Sequence, residues 1–365
     1  MKPVFAKVGG VAVRPGHWTQ GKLRVARHPD GTHAYLPFWI GAGTAIRGKK
    51  TVPVGALLGG SHGNEPNGPE LVNRVVSELD LKELHGILLV LPVTNPWGYA
   101  EKLRMVPIDQ RDLNRSYPGH ATGSFTYQVA DTILQEVVQR CDFVIDAHDA
   151  GDRIVLVPHA RAHLHPQDDP SQLLALSFGS DVVLLREAEP GMLAGEARSR
   201  FGTTVVSLEV GGSMQVWEHA QERAKRGVFN MLRAQGMLPG QLVLPPHQHL
   251  LRSRYTTAAA LTGIQTTWVA LGQVVQKGQP LYRILDPQTG RSHVHRSRIC
   301  GVVLAKNLSA RVDKGDPAIS IVEFTSCDAE AMLKADVVRN RSDRHTVVLK
   351  SAQGWSHQSH AKVEQ

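Results

Sequence analysis

Cysteine is scarce in this chain: three residues among 365, Cys141, Cys300 and Cys327, with no CxxC pair. So sparse and odd a set excludes a disulfide framework and a zinc site built from cysteines, and it suits a reducing, cytoplasmic compartment. Long apolar runs are missing too. The N-terminal MKPVFAKVGGVAVRPG lacks the ~7–15-residue apolar core of a secretory signal, and no stretch reaches the ~18 apolar residues that span a bilayer. Neither a leader nor a membrane partner is expected. Aromatics are few, with eight Phe, six Trp and six Tyr, so there is little material for stacking nucleobases. Acidic residues are in deficit, 33 against 41 Lys+Arg, for a formal charge of +8. The basic residues are scattered, so the excess suits the attraction of small carboxylates, and no nucleic-acid partner is expected.

What is present describes a globular chain. Hydrophobic residues make up 42% and glycines number 34, enough for a sizeable core. Thr51–Gly60, Gly86–Pro92 and Phe143–Ala147 are continuous apolar runs, as are Ser180–Leu185 and Thr203–Val210. Without polar alternation they predict strands covered on both faces. Helical spacing predicts helices over Pro69–Leu79 (Leu71, Val75, Leu79), Ser124–Arg140 (Val129, Ile133, Val137) and Met214–Met237. The alternation implies an α/β domain over residues 1–240, its first ~45 residues an accessory β-like segment. After Leu238-Pro239-Gly240 the pattern becomes short β-like runs, predicting a smaller β-rich domain over 241–327. Within it Val275-Gln-Lys-Gly-Gln-Pro280 recurs as Val312-Asp-Lys-Gly-Asp-Pro317, as in the halves of a lipoyl-like sandwich, but no lysine stands at a hairpin tip to carry a prosthetic group. Residues 328–365 are polar and read as a mobile tail.

Four segments carry chemistry. In Gly59-Gly60-Ser61-His62-Gly63-Asn64-Glu65 a strand end should meet a helix, and His62 and Glu65 are three apart, so both can reach one point. Imidazole and carboxylate form part of a shell for Zn2+, although for this pair alone a capping Glu beside a hydrogen-bonded His is the better explanation. His148 ends the strand FVIDAH, where Asp146 and Asp149 could orient it. Two His and one Glu would leave a metal position open, which is the catalytic arrangement. Asp112-Leu-Asn114-Arg115-Ser-Tyr-Pro-Gly119 offers a guanidinium fork and an amide for a carboxylate, or else a surface loop with an ordinary ion pair. Glu209 in Ser207-Leu-Glu-Val-Gly-Gly212 is a carboxylate at the end of an apolar strand, placed there either for an ion pair or to move protons. The HxH pairs 163/165, 247/249 and 293/295 would each line one face of a strand and read as surface or interface histidines rather than a second metal site. Asn67-Gly68 reads as a turn.

GGSHGNE, DLNRSYPG, the strand-end DAH and LEVGG occur in an order that resembles the succinylglutamate desuccinylase/aspartoacylase family, relatives of the zinc carboxypeptidases. The resemblance spans residues 50–240, with a β-rich continuation. It implies a zinc carboxypeptidase-like mixed sheet flanked by helices and one Zn2+ per subunit, held by His62, Glu65 and His148. Glu209 would be the general base and acid, and Asn114 and Arg115 would hold the substrate carboxylate. Some members place an oxyanion-stabilising Arg eight positions before the DLNR arginine, where this chain has Pro107. That role falls to Arg104, as in the bacterial deacylase branch, with Arg111 as the fallback. The implied function is deacylation of an N-acyl amino acid or a similar small carboxylate amide. A metallocarboxypeptidase acting on peptide C-termini, a non-catalytic binding protein that keeps the fold, and a homo-oligomeric state all stay open.

Overall fold

Apolar runs without alternation need cover on both sides, and the sheet they build is covered on both. The computed structural model describes residues 1–27, 30–165, 170–252 and 254–323. The labelled strands are β1 (Trp18–Arg27), β2 (His33–Ala42), β3 (Val54–Gly59), β4 (Ile87–Leu91), β5 (Phe143–His148), β6 (Ile154–Leu164), β7 (Val182–Glu187) and β8 (Thr204–Gly212). The longer helices are α1 (Asn67–Glu78), α2 (Phe125–Glu136), α3 (Pro170–Ser177), α4 (Leu193–Phe201) and α5 (Glu218–Ala234). Every residue of β3, β4, β5 and β8 is buried. Their successive side chains divide between two cores. Leu58, Leu89 and Val144 pack with Val129 and Ile133 of α2 and Ala197 of α4. Leu57, Leu88 and Ile145 pack with Leu71 and Val75 of α1 and Val228 of α5. Period-two strands with both faces apolar thus take one helical layer on each side.

The C-terminal strands are β9 (His249–Leu251), β10 (Arg254–Ala258), β11 (Gly263–Thr267), β12 (Pro280–Leu285), β13 (Ser292–Arg296), β14 (Gly301–Asn307) and β15 (Pro317–Glu323). The main sheet runs β10-β15-β14-β6-β8-β5-β3-β4-β2-β1, with β7 and then β9 branching from β6. β8, β5, β3 and β4 are parallel, whereas β6 is antiparallel to β8. The β-rich C-terminal region continues this sheet: Ile154 and Leu156 of β6 pair with Asn307 and Ala305 of β14. A second, four-stranded sheet holds β13, β12, β11 and Arg311–Val312. The internal repeat becomes two glycine turns, at Gly278 (φ 86°) and Gly315 (φ 97°), which lead into β12 and β15. No described helix is long and apolar enough to cross a membrane. Cys327 and the polar tail lie outside the described residues.

Some local expectations change. Asn67-Gly68 is the first turn of α1 rather than a free turn, and Asn67 is fully buried. The helix expected from Met214 begins at Glu218, because Ser213 and Met214 have φ of 62° and 52° and cannot extend a right-handed helix. β6 has no counterpart in the apolar runs. Pro158 stands inside it, and the register with β8 shifts between Leu156 and His159, which is how a strand accommodates a proline.

Candidate metal centre and substrate cavity

β3 ends in Gly59, and the chain then turns through His62–Glu65 into α1. Two glycines let this loop sit where it does. A Cβ on Gly68 would lie 2.3 Å from the Ala147 carbonyl oxygen, so the start of α1 abuts the end of β5. A Cβ on Gly63 would lie 1.9 Å from the Gly98 carbonyl carbon, and the Gly63 N–H donates to Leu103 O at 2.9 Å. Gly63→Ala must displace backbone, and is expected to lose about 1–3 kcal/mol of stability, read as a lower denaturant midpoint at unchanged slope.

The close approach of α1 to β5 brings Glu65 between two imidazoles. His62 Nδ1 lies 2.8 Å from Glu65 Oε1, and His148 Nδ1 lies 2.9 Å from Glu65 Oε2. All three residues are buried, and their ligand atoms fall within 4.8 Å of one another. Among the described residues this is the one such group. The outer nitrogens are held by carboxylates, His62 Nε2 by Asp112 Oδ1 at 3.1 Å and His148 Nε2 by Asp146 Oδ2 at 2.9 Å. A carboxylate behind each ring can hold the proton on Nε2, the tautomer that frees Nδ1 to ligate a metal. Two imidazole nitrogens and one carboxylate oxygen suit a divalent ion such as zinc, so the residues fit the group the sequence implied. Burial alone would raise the Glu65 carboxyl, but His62 and His148 hold it well below the usual carboxylate range. Asp149 does not join Asp146 behind His148. Its carboxylate accepts from the Asn67 backbone and side-chain N–H groups at 3.1 and 2.8 Å, and burial with the nearby Glu65 charge pushes it up to about 7.

Glu209 lies beside His148 in the parallel register of β8 with β5. It is buried, which raises its carboxyl, and the Arg161 guanidinium opposes that shift. Arg161 Nη1 sits 2.6 Å from Glu209 Oε1. Arg104 donates to Asp112 Oδ2 from Nε at 3.1 Å and from Nη2 at 2.9 Å, and its Nη1 reaches Glu65 Oε1 at 3.4 Å. Asp112 accepts from the Asn114 N–H at 2.9 Å and so holds the 113–115 turn against the same site. Asn114 Oδ1 accepts from the Leu193 N–H, and the residue lines the cavity. Arg115 donates to Asn114 O at 2.8 Å and lines the cavity. Arg111 does not line it. Its guanidinium lies over the Tyr127 ring, 5.1 Å from the centroid, with Nε 3.9 Å from Asp109.

The cavity over the three candidate ligands has a volume of about 320 Å³ and runs along one face of the sheet. Glu209 and Ser207 of β8 share that face with Arg161 and His163 of β6. Beyond them the wall is built by C-terminal strands: Ala305 of β14, Ser320 of β15, and Thr256 and Arg254 of β10. His163, expected at the surface, is buried in this wall with Nε2 2.8 Å from Ser207 Oγ. His295 instead stacks on Tyr282, 5.0 Å between centroids, and no HxH pair gathers a second set of metal ligands among the described residues. Sequence reasoning missed Asp112 behind His62, though it opens the DLNR motif, and it missed Arg161 and Arg254 altogether.

A sequence profile of the succinylglutamate desuccinylase/aspartoacylase catalytic domain matches residues 52–235, half of the chain. The N-alpha-acetyl-L-2,4-diaminobutyric acid deacetylase of Halomonas elongata is 29% identical over 283 residues, covering 74% of this chain and 82% of that protein. The product-bound structure of the Ectoine utilization protein EutE (DoeB) from Ruegeria pomeroyi has a TM-score of 0.74 at 24% identity, covering 86% of this chain and 97% of that one. A succinylglutamate desuccinylase/aspartoacylase from Rhodobacter sphaeroides gives a TM-score of 0.74 at 22% identity with the same coverage. At such identities the two structures speak for the fold, and the profile for the family. The large mixed sheet, the buried His-Glu-His group and the profile match agree, and the chain belongs to the succinylglutamate desuccinylase/aspartoacylase family.

Proposed function

We propose that the chain is a metal-dependent amidohydrolase that removes a short acyl group from an N-acyl amino acid, with one Zn2+ per subunit on His62, Glu65 and His148. The observation that carries this reading is the placement of Glu209 beside His148, in register on the neighbouring strand, both lining one cavity. A divalent metal held there supplies Lewis acidity, polarising a carbonyl and bringing the pKa of water down to ~7. Glu209 takes the proton of the attacking water and returns it to the leaving nitrogen; burial raises its affinity for that proton. Arg104, steadied by Asp112, offers N–H groups to the developing oxyanion beside Glu65. Arg115 and the Asn114 Nδ2 amide hold the substrate carboxylate, and Arg111, over Tyr127, is left out of this scheme. The Halomonas relative, named for an N-acetylated diamino acid, supports acetyl as the acyl group.

A panel of N-acetyl and N-succinyl amino acids, set against dipeptides, tests the reading with the zinc-loaded protein. Hydrolysis of an N-acyl amino acid is expected to exceed that of every dipeptide by at least about tenfold. The reverse order would make the chain a metallocarboxypeptidase, and no metal-dependent hydrolysis of either class would make it a binding protein.

A further inference from the structure

A second cavity lies behind the first, with one pair of strands between them. In the ladder of β6 with β14, Ile154 pairs with Asn307, Val155 with Lys306 and Leu156 with Ala305. Ile154, Leu156 and Ala305 line the cavity over the candidate ligands. Side chains alternate along a strand, so Val155 and Lys306 turn to the other side of the sheet, where they line a cavity of about 460 Å³. Its other walls are the start of α5, with Trp217, Ala220 and Arg223, the 270–272 turn after β11, and Leu308 after β14. Most of the lining is apolar. Val155, Val157, Pro158, Leu271 and Leu308 bring no polar side-chain atom, and Trp217 Nε1 already donates to Gly212 O at 3.0 Å. The charges in the wall do not balance. Asp181 is paired with Arg223 at 3.0 Å, which leaves Lys306 with no ion pair among the described residues. His219, exposed beside the Trp217 ring, adds no negative charge. Burial lowers the Lys306 pKa, and no carboxylate charge opposes that shift. A half-buried cation without a partner, at the side of an apolar cavity, suits an anion with an apolar body.

We propose that this second cavity is a binding site for an amphipathic carboxylate, with Lys306 holding the carboxylate and the apolar body lying against Trp217, Pro158 and Leu271. The volume falls within the ~300–1,000 Å³ of sites for small organic molecules, whose walls are mostly apolar with a few charged groups. The site is separate from the one proposed for substrate, because Asn114, Arg115 and the candidate metal ligands line only the other cavity. The inference therefore stands whether or not the proposed reaction does. It gives β14 a part on both faces of the sheet, since Ala305 borders one cavity and Lys306 the other.

The test is calorimetric titration of the zinc-loaded full chain with 2-naphthoate and with octanoate, an aromatic and an aliphatic member of the class. At least one is expected to bind saturably, one per chain, with a Kd below about 1 mM. The primary amide of the same body, which lacks the charge, is expected to bind about tenfold more weakly or worse. Lys306→Gln is expected to weaken the carboxylate by a similar factor. Ala270→Trp, at an exposed position on the cavity rim, is expected to abolish binding by filling the space. The denaturant midpoints of both variants should stay close to wild type, so that lost binding is not lost folding. Arg115→Gln, in the other cavity, is expected to leave the Kd within about twofold. The proposal is overturned if neither carboxylate binds, or if binding is unchanged in Lys306→Gln or in Ala270→Trp. Binding lost in Arg115→Gln would place the probe in the substrate cavity and overturn it equally. Because the readout is binding, the result does not depend on turnover at the first cavity.

Discussion

Glu209→Gln is expected to lower kcat by about 10²–10⁴, the usual contribution of a positioned acid–base group, while the metal content stays unchanged. The substitution keeps the shape of the side chain and an oxygen that can still accept from Arg161 Nη1. It removes the capacity to take up a proton. Glu209 is not among the three residues whose ligand atoms converge, so the metal group should be untouched. Elemental analysis of the purified variant and steady-state kinetics on an N-acyl amino acid check the two halves of the expectation. Activity within a few-fold of wild type would move the base elsewhere, with Asp149, a buried carboxyl next to His148 that lines the same cavity, the alternative.

His62→Ala is expected to take the metal from about one per chain to near zero after dialysis, and turnover with it. Loss even of a carboxylate behind a ligand typically weakens metal affinity about 10–100-fold, so loss of one of three direct donors should exceed that. His62 is a better choice than His148 for this experiment because of what each removal strands. Without His62, Asp112 keeps the Arg104 guanidinium at 2.9 Å and Glu65 keeps His148. Without His148, Asp146 would lose its 2.9 Å imidazole partner inside the sheet. A buried carboxylate left unpaired destabilises the fold as well as the metal site and would blur the reading. Elemental analysis and the denaturant midpoint separate the two effects: the metal should go while the midpoint of the metal-free proteins stays close. Retention of stoichiometric metal by His62→Ala would exclude His62 as a ligand.

The residues that could be found in the sequence are those whose signal is local. His62 and Glu65 follow paired glycines at the end of an apolar run, and His148 closes another such run. A polar group at the end of a fully buried strand is conspicuous because burial there is costly without a partner. Glu209 stood out for the same reason. Arg161 did not, because its strand is broken by Pro158 and has a shifted register, so the run reads as irregular. Arg254 sits in a half-polar strand, RYTTA, that gives no sign of facing a site assembled more than one hundred residues earlier.

Sequence alone therefore determined the ingredients: which segments are buried strands, which polar groups close them, and which family they resemble. Only the tertiary structure decided who stands beside whom. Strand order and register put Glu209 next to His148, set Arg161 against Glu209, and carried the C-terminal strands into the cavity wall. Those pairings depend on hydrogen-bond ladders between segments distant in the chain, where a slip of one residue would turn every side chain to the opposite face.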